Sequence, residues 1–237
     1  MKLQRWKRFP RRPLLAAVSL AAAIGATAGC IPTPDVTNPQ VQQAIKRCWN
    51  PTPYVWLTFD DFGTATQVGG LVDTLVRNNV RAIFFPVQNW AQRNPWLIVR
   101  MALAGQDIGD HTYDHADFNN ISDAQIGWEI DNGAGHSPKG PMLMRPPYGD
   151  GAFTQRVNTI AAQHGFHVCY WTVDTRDWTG ISASSIISAV QFGASWTPAV
   201  QAGGVVLMHM DGPNTLAALQ GVIDAVRARG LQLVPIH

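Results

Sequence analysis

Asp60 and Asp61 stand side by side at the end of the apolar run Tyr54–Phe59. Two adjoining carboxylates repel unless a cation or a shared proton lies between them. Neighbours on an extended chain point in different directions, so one is free to bind a metal while the other handles protons. His111 and His115 follow at HxxxH spacing in a polar turn. Two imidazoles and one carboxylate on one face of a cation suit zinc or a similar metal and leave positions open for water. Arg145 begins Arg-Pro-Pro-Tyr-Gly, where two prolines fix the backbone and Gly149 permits an unusual turn. Its guanidinium offers a carboxylate two hydrogen bonds. Asp177-Trp178 supplies an acid next to an aromatic that would wall a pocket or stack on a sugar. His209 ends the strand-like run from Val205 and would serve as a general acid beside an acidic neighbour. Each residue also has a bland alternative: a solvated loop entry, a structural turn, packed tryptophan, or a hydrogen-bonded core histidine.

Positioning these groups requires elements that bring them to one rim. Strand-like stretches read at 54–60, 82–86, around 108, 142–145, 167–173, 204–209 and 231–235. Helical spacing runs through 68–76, 95–104, 122–130, 157–161, 182–192 and 216–226. Ser122 with Gln125 forms a capping-box pattern. The alternation implies parallel strands joined by helical crossovers, in a single α/β domain that suits an incomplete barrel better than an open sheet. In such barrels chemistry gathers at the C-terminal ends of the strands. The polar groups fall there: Asp60-Asp61 end the first strand, His111 follows the third and Arg145 ends the fourth. Asp174 and Asp177 follow the fifth, and His209 ends the sixth, two strand ends from Asp60 in this order.

The first 29 residues read differently. They hold six of the 18 basic residues and no acid, then an apolar run from Leu14 to Ile24, then Ala26-Thr27-Ala28-Gly29-Cys30. This pattern predicts a removable export signal over 1–29, with twin arginines at 11–12 and lipidation at Cys30 as expectations. Residues 30–50 form a polar, proline-containing tether, and 51–237 form the domain. Without the signal, twelve basic residues face sixteen acidic ones, so nothing suggests a nucleic-acid partner. The membrane is expected to be met only through the lipid. A hydrophobic share of 46% supports a sizeable core. Cys48 and Cys169 remain as a candidate pair in an oxidising compartment, with two buried free thiols as the alternative.

Taken in order, five segments resemble the motifs of the polysaccharide deacetylases of the NodB-homology group, family 4 of the carbohydrate esterases. They are Thr58-Phe59-Asp60-Asp61, His111-Thr112-Tyr113-Asp114-His115, Arg145-Pro146-Pro147-Tyr148-Gly149, Asp174-Thr175-Arg176-Asp177-Trp178 and Leu207-Met208-His209. The resemblance runs from about Tyr54 to Pro235. It implies a distorted (β/α)7 barrel of NodB-homology type and one divalent metal, usually zinc, on Asp61, His111 and His115. It implies Asp60 as general base paired with Arg145, and His209 as general acid held by Asp177. The Tyr148 backbone N–H would serve the oxyanion, and Trp178, Leu207 and Pro147 would line the substrate slot. The implied substrate is an acetylated polysaccharide or oligosaccharide of peptidoglycan or chitin type, handled by an exported, monomeric enzyme. The same machinery would also fit an O-acetyl xylan ester, and a metal- or sugar-binding lipoprotein without turnover is the rival from another class. Two departures stand out: Phe62 occupies a position where the family commonly has Gly, and Met210 separates His209 from Asp211.

Overall fold

The structure is a computed structural model that describes residue 48 and residues 53–134, 142–149 and 154–236. The export signal, Cys30 and nearly all of the tether lie outside the described residues. Among the described residues, no helix is long and apolar enough to cross a membrane.

Among the described residues, seven short parallel strands carry the domain. They are β1 (Trp56–Asp61), β2 (Ile83–Pro86), β3 (Asp107–Ile108), β4 (Leu143–Met144), β5 (His167–Val168), β6 (Val173–Asp174) and β7 (Val205–His209). Five of them form a sheet in the order β3-β2-β1-β7-β6, and β4 pairs with β5. A parallel bridge between Asp110 and Met144 links the two sheets, so the strands follow one another in a distorted, open barrel. β1 sits at the centre and is buried on both faces: Leu57 and Phe59 on one, Thr58 and Asp60 on the other. Burying an apolar side chain of that size contributes about 1.5–3 kcal/mol.

Among the described residues, seven α-helices cover the strands: α1 (Ala65–Arg77), α2 (Gln88–Arg93), α3 (Pro95–Leu103), α4 (Asp123–Asp131), α5 (Gln155–Gln163), α6 (Ala183–Phe192) and α7 (Thr215–Ala228). Val68, Leu71, Val72 and Leu75 are buried at helical spacing on α1, whereas Val76 falls off that face and is 47% exposed. The capping box at Ser122 forms in both directions with Gln125. Gly105 and Gly230 take positive φ just beyond α3 and α7, where a left-handed residue ends a helix.

Two strand expectations differ from the structure. The stretch 167–173 divides into β5 and β6, because the backbone leaves the ladder at Tyr170 and Trp171, whose rings stack 3.9 Å apart. The last stretch, 231–235, contributes only a bridge between Leu233 and Val55. No strand therefore intervenes between β7 and β1, and His209 is the register partner of Asp60 rather than two strand ends away. The short helix α2 was not legible, since Gln88–Arg93 has no apolar period and no side-chain cap.

Candidate active site

In a parallel pair, register partners project to the same face, and residues two apart on one strand share it. Thr58 and Asp60 on β1 thus share a face with Leu207 and His209 on β7. Arg145 lies wholly buried beside this face. Its Nη1 donates to Asp60 Oδ1 at 2.6 Å and to Thr58 Oγ1 at 2.9 Å. The other Asp60 oxygen, Oδ2, lies 4.0 Å from His111 Nε2. That is beyond hydrogen-bond reach but close enough to serve a water between them.

Asp61 points the other way. Its Oδ1 is 3.1 Å from both His111 Nε2 and His115 Nε2, and the three ligand atoms fall within 4.8 Å of one another. His111 Nδ1 lies 2.7 Å from the Arg145 carbonyl oxygen, which requires an N–H at Nδ1 and leaves the Nε2 lone pair facing Asp61. A lone pair and a carboxylate oxygen repel at that distance unless a proton or a metal cation joins them. Asp61 Oδ1 is also buried without a hydrogen-bond partner. Burial alone would raise the Asp61 carboxyl, but the His111 and His115 rings set against it reverse this and hold it below the usual carboxylate range. The donor set and its geometry fit a divalent cation, with one carboxylate and two imidazoles on one side.

The backbone around the candidate site is unusual. Asp61, Thr112, His115, Tyr148 and Arg176 all have positive φ without being glycine. Such residues persist only where surrounding contacts hold them, and they gather at functional sites. For the loop from Thr112 to His115, two buried carboxylates supply those contacts. Asp110 Oδ1 accepts the Thr112 N–H at 2.5 Å, and Glu129 Oε2 accepts the N–H groups of Tyr113 and Asp114 at 2.9 and 3.1 Å. Burial pushes the Asp110 carboxyl up to about 7 despite the Thr112 bond. The Thr112 hydroxyl accepts the His115 N–H at 3.1 Å, closing the loop between the two histidines. Sequence reasoning missed both carboxylates. Glu129 left one signal, an acid between Ile126 and Ile130 on the buried face of α4.

His209 is held from the opposite side. Its Nδ1 is 2.7 Å from Asp177 Oδ1, and its own N–H donates to Asp177 Oδ2 at 2.7 Å. Thr215 donates a further short hydrogen bond to Asp177 Oδ2. Burial would lower the His209 ring, but the Asp177 hydrogen bond and charge, with Asp60 and Asp61 behind it, raise it to about 9. A Cβ at Gly212 would sit 2.7 Å from Asp177 Oδ2, so only glycine lets the loop after β7 pass this carboxylate. Thr215 and Gly212 left no readable pattern in the sequence.

The remaining expected residues fall around this face. Tyr148 lies in a 3-10 turn, Pro147–Gly149, with its ring edge-on to His115 at 4.6 Å. Tyr148 is 64% exposed and Trp178, on the turn Asp177–Thr179, is 60% exposed. Pro147 and Leu207 are buried. The two departures in sequence meet in space: the Cα of Gly63 packs so tightly on the Met210 carbonyl that an added Cβ would be 2.9 Å away. A separate cavity of about 380 Å³, lined by Tyr54, Val80, Arg227 and Leu233, includes none of the residues above.

Residues 49–169 match the polysaccharide deacetylase family. The chain is 33% identical over 185 residues to a peptidoglycan-N-acetylglucosamine deacetylase of Listeria monocytogenes, covering 76% of this chain and 37% of the relative. It therefore spans little more than a third of that relative's length. A peptidoglycan-N-acetylglucosamine deacetylase of Bacillus cereus is 31% identical, over 76% of this chain and 84% of the relative. A chitooligosaccharide deacetylase of Bradyrhizobium sp. is 29% identical, over 78% and 90%. Among solved structures, a family 4 carbohydrate esterase from Streptomyces lividans in complex with acetate superposes with a TM-score of 0.66 at 29% identity, over 78% of this chain and 93% of that one.

Proposed function

Because the chain belongs to the polysaccharide deacetylase family, we propose that it removes N-acetyl groups from an N-acetylglucosamine-containing polysaccharide of peptidoglycan or chitin type. The observation that carries this reading is one rim holding a three-residue cation site between a carboxylate and an imidazole that take no part in it. Binding alone needs neither of those two groups; hydrolysis of an amide needs both.

A divalent cation on Asp61, His111 and His115, zinc in our reading, would supply Lewis acidity to the amide carbonyl and to water. Asp60 takes the proton from the attacking water. Its Oδ1 is tied to Arg145, so Oδ2 is the atom that faces the reaction. His209 protonates the departing nitrogen from Nε2, because Nδ1 is tied to Asp177. The raised ring keeps that proton in place at neutral pH. The Tyr148 N–H, on a backbone turned into the left-handed region, donates to the oxyanion. Leu207 shares the His209 face and forms the floor of the slot for the acetyl methyl, with Pro147 and Trp178 as walls.

The catalytic domain spans residues 51–237 and acts as a monomer outside the cytoplasm, after removal of 1–29 and lipidation of Cys30. An O-acetyl sugar ester is the second reading, favoured by the esterase described from Streptomyces lividans. Acetate release from a panel of acetylated glycans, with and without chelator, tests both. Release from N-acetylglucosamine polymers that stops with chelator and returns with zinc supports the proposal. Release from xylan alone, or release unaffected by chelator, rejects it.

A further inference from the structure

Arg145 orients Asp60, and the question is what seats Arg145. Its guanidinium is fully buried. Nε donates to the Cys169 carbonyl at 3.2 Å, and Nη1 to Thr58 and Asp60. The Phe85 ring lies 4.5 Å from the guanidinium carbon and the Trp171 ring 5.6 Å. The remaining edge, Nη2, faces sulfur: Cys169 Sγ at 3.3 Å and Cys48 Sγ at 3.8 Å. These two cysteines form a disulfide, 121 residues apart in sequence. Cys169 also donates its N–H to Met144, the residue before Arg145.

We infer that the Cys48–Cys169 disulfide is a positioning element of the proposed hydrolytic site: it walls in the Arg145 guanidinium that holds Asp60, so turnover depends on its oxidation. The inference rests on the functional reading above for its catalytic half. The physical argument is packing. Two unbonded sulfurs cannot lie as close as two bonded ones, because each then keeps its full van der Waals radius. Both are buried, so on reduction they separate against their neighbours, and the guanidinium edge lies in their way. A shift of Arg145 moves Asp60 Oδ2, and a misplacement of about 1 Å costs on the order of 10²-fold in rate. The cation ligands Asp61, His111 and His115 do not touch the disulfide and keep their metal. The enzyme would reach full rate only in an oxidising compartment, where such a bond persists.

The disulfide also stabilises the fold by closing a long loop, so the test must separate seating from stability. The folded, metal-loaded protein is treated with a phosphine reductant. Water supplies the oxygen that oxidises the phosphine and the protons that convert the two sulfurs to thiols. Acetate release is then measured well below the melting temperature, together with metal content and the NMR signal of the Arg145 Nε–H. Expected are a fall in kcat of at least tenfold, KM and metal content unchanged within twofold, faster exchange of the Arg145 Nε–H, and recovery on reoxidation. The double variant Cys48→Ala/Cys169→Ala repeats the measurement without reductant. An unchanged kcat, or an Arg145 signal that does not respond, overturns the inference even if the melting temperature falls. If the oxidised protein releases no acetate from any glycan while the Arg145 signal still responds to reduction, the functional reading fails and the seating of Arg145 stands.

Discussion

Asp177→Asn removes one charge and keeps the shape, and its consequences follow from three contacts. Asp177 is fully buried and accepts from the His209 ring, the His209 N–H and the Thr215 hydroxyl. The charged groups facing the ring are Asp177, Asp60, Asp61 and Asp211. With the first gone, burial dominates and the His209 pKa falls from about 9 toward or below its ordinary 6.5. A shift of that size corresponds to roughly 3 kcal/mol. The sign follows from linkage: a ring raised in the folded state contributes stability fully below its unfolded pKa and loses it as pH rises through about 9. The parent protein therefore loses stability between about pH 6.5 and 9, and the variant does not. A cation on Asp61 cancels part of the raise, so the measured value lies at or somewhat below 9. The variant also turns an amide N–H toward a buried donor, which costs about 1–3 kcal/mol, or several degrees in melting temperature for a domain of this size. Activity should retreat on the alkaline side, its limb moving down by about two pH units, so that kcat falls a few-fold at neutral pH and by roughly tenfold or more at pH 8 as the general acid loses its proton. The assay is the His209 Cε1–H titration by NMR beside a pH profile of acetate release. A His209 pKa within half a unit of the parent value in Asp177→Asn refutes the reasoning.

Glu129→Ala leaves the N–H groups of Tyr113 and Asp114 without their carboxylate. It should weaken zinc affinity about 10–100-fold, as loss of a group that orients metal ligands does, and competition with a chromogenic chelator measures this. Mass spectrometry of the native mature protein should find Cys30 as a lipidated N-terminus; an unmodified terminus elsewhere contradicts the lipid while leaving export intact.

Much of the candidate site was legible because each proposed reacting group ends or follows an apolar strand. Val205–His209 and Trp56–Asp61 announce their strands by composition, and the barrel rule then sends Asp60, Asp61 and His209 to one rim. What stayed hidden depends on contacts between distant segments. The adjacency of β7 and β1 could not be read because 231–235 has a strand's composition yet makes only one bridge. Asp110, Glu129 and Thr215 act through backbone N–H groups or through another side chain, and no spacing rule marks such partners. The pairing of Cys48 with Cys169 likewise required the fold to bring together residues 121 apart.

The central claim is that Asp60 and His209 move protons while three other residues hold the cation. The most direct measurement is kcat and metal content together for Asp60→Asn, His209→Ala and His111→Ala on a glycan that the parent protein deacetylates. The first two variants should lose at least about 10²-fold in kcat and keep close to one metal ion per chain. His111→Ala should lose both metal and turnover. Near-normal turnover in Asp60→Asn and His209→Ala, or a full metal complement in His111→Ala, contradicts the account.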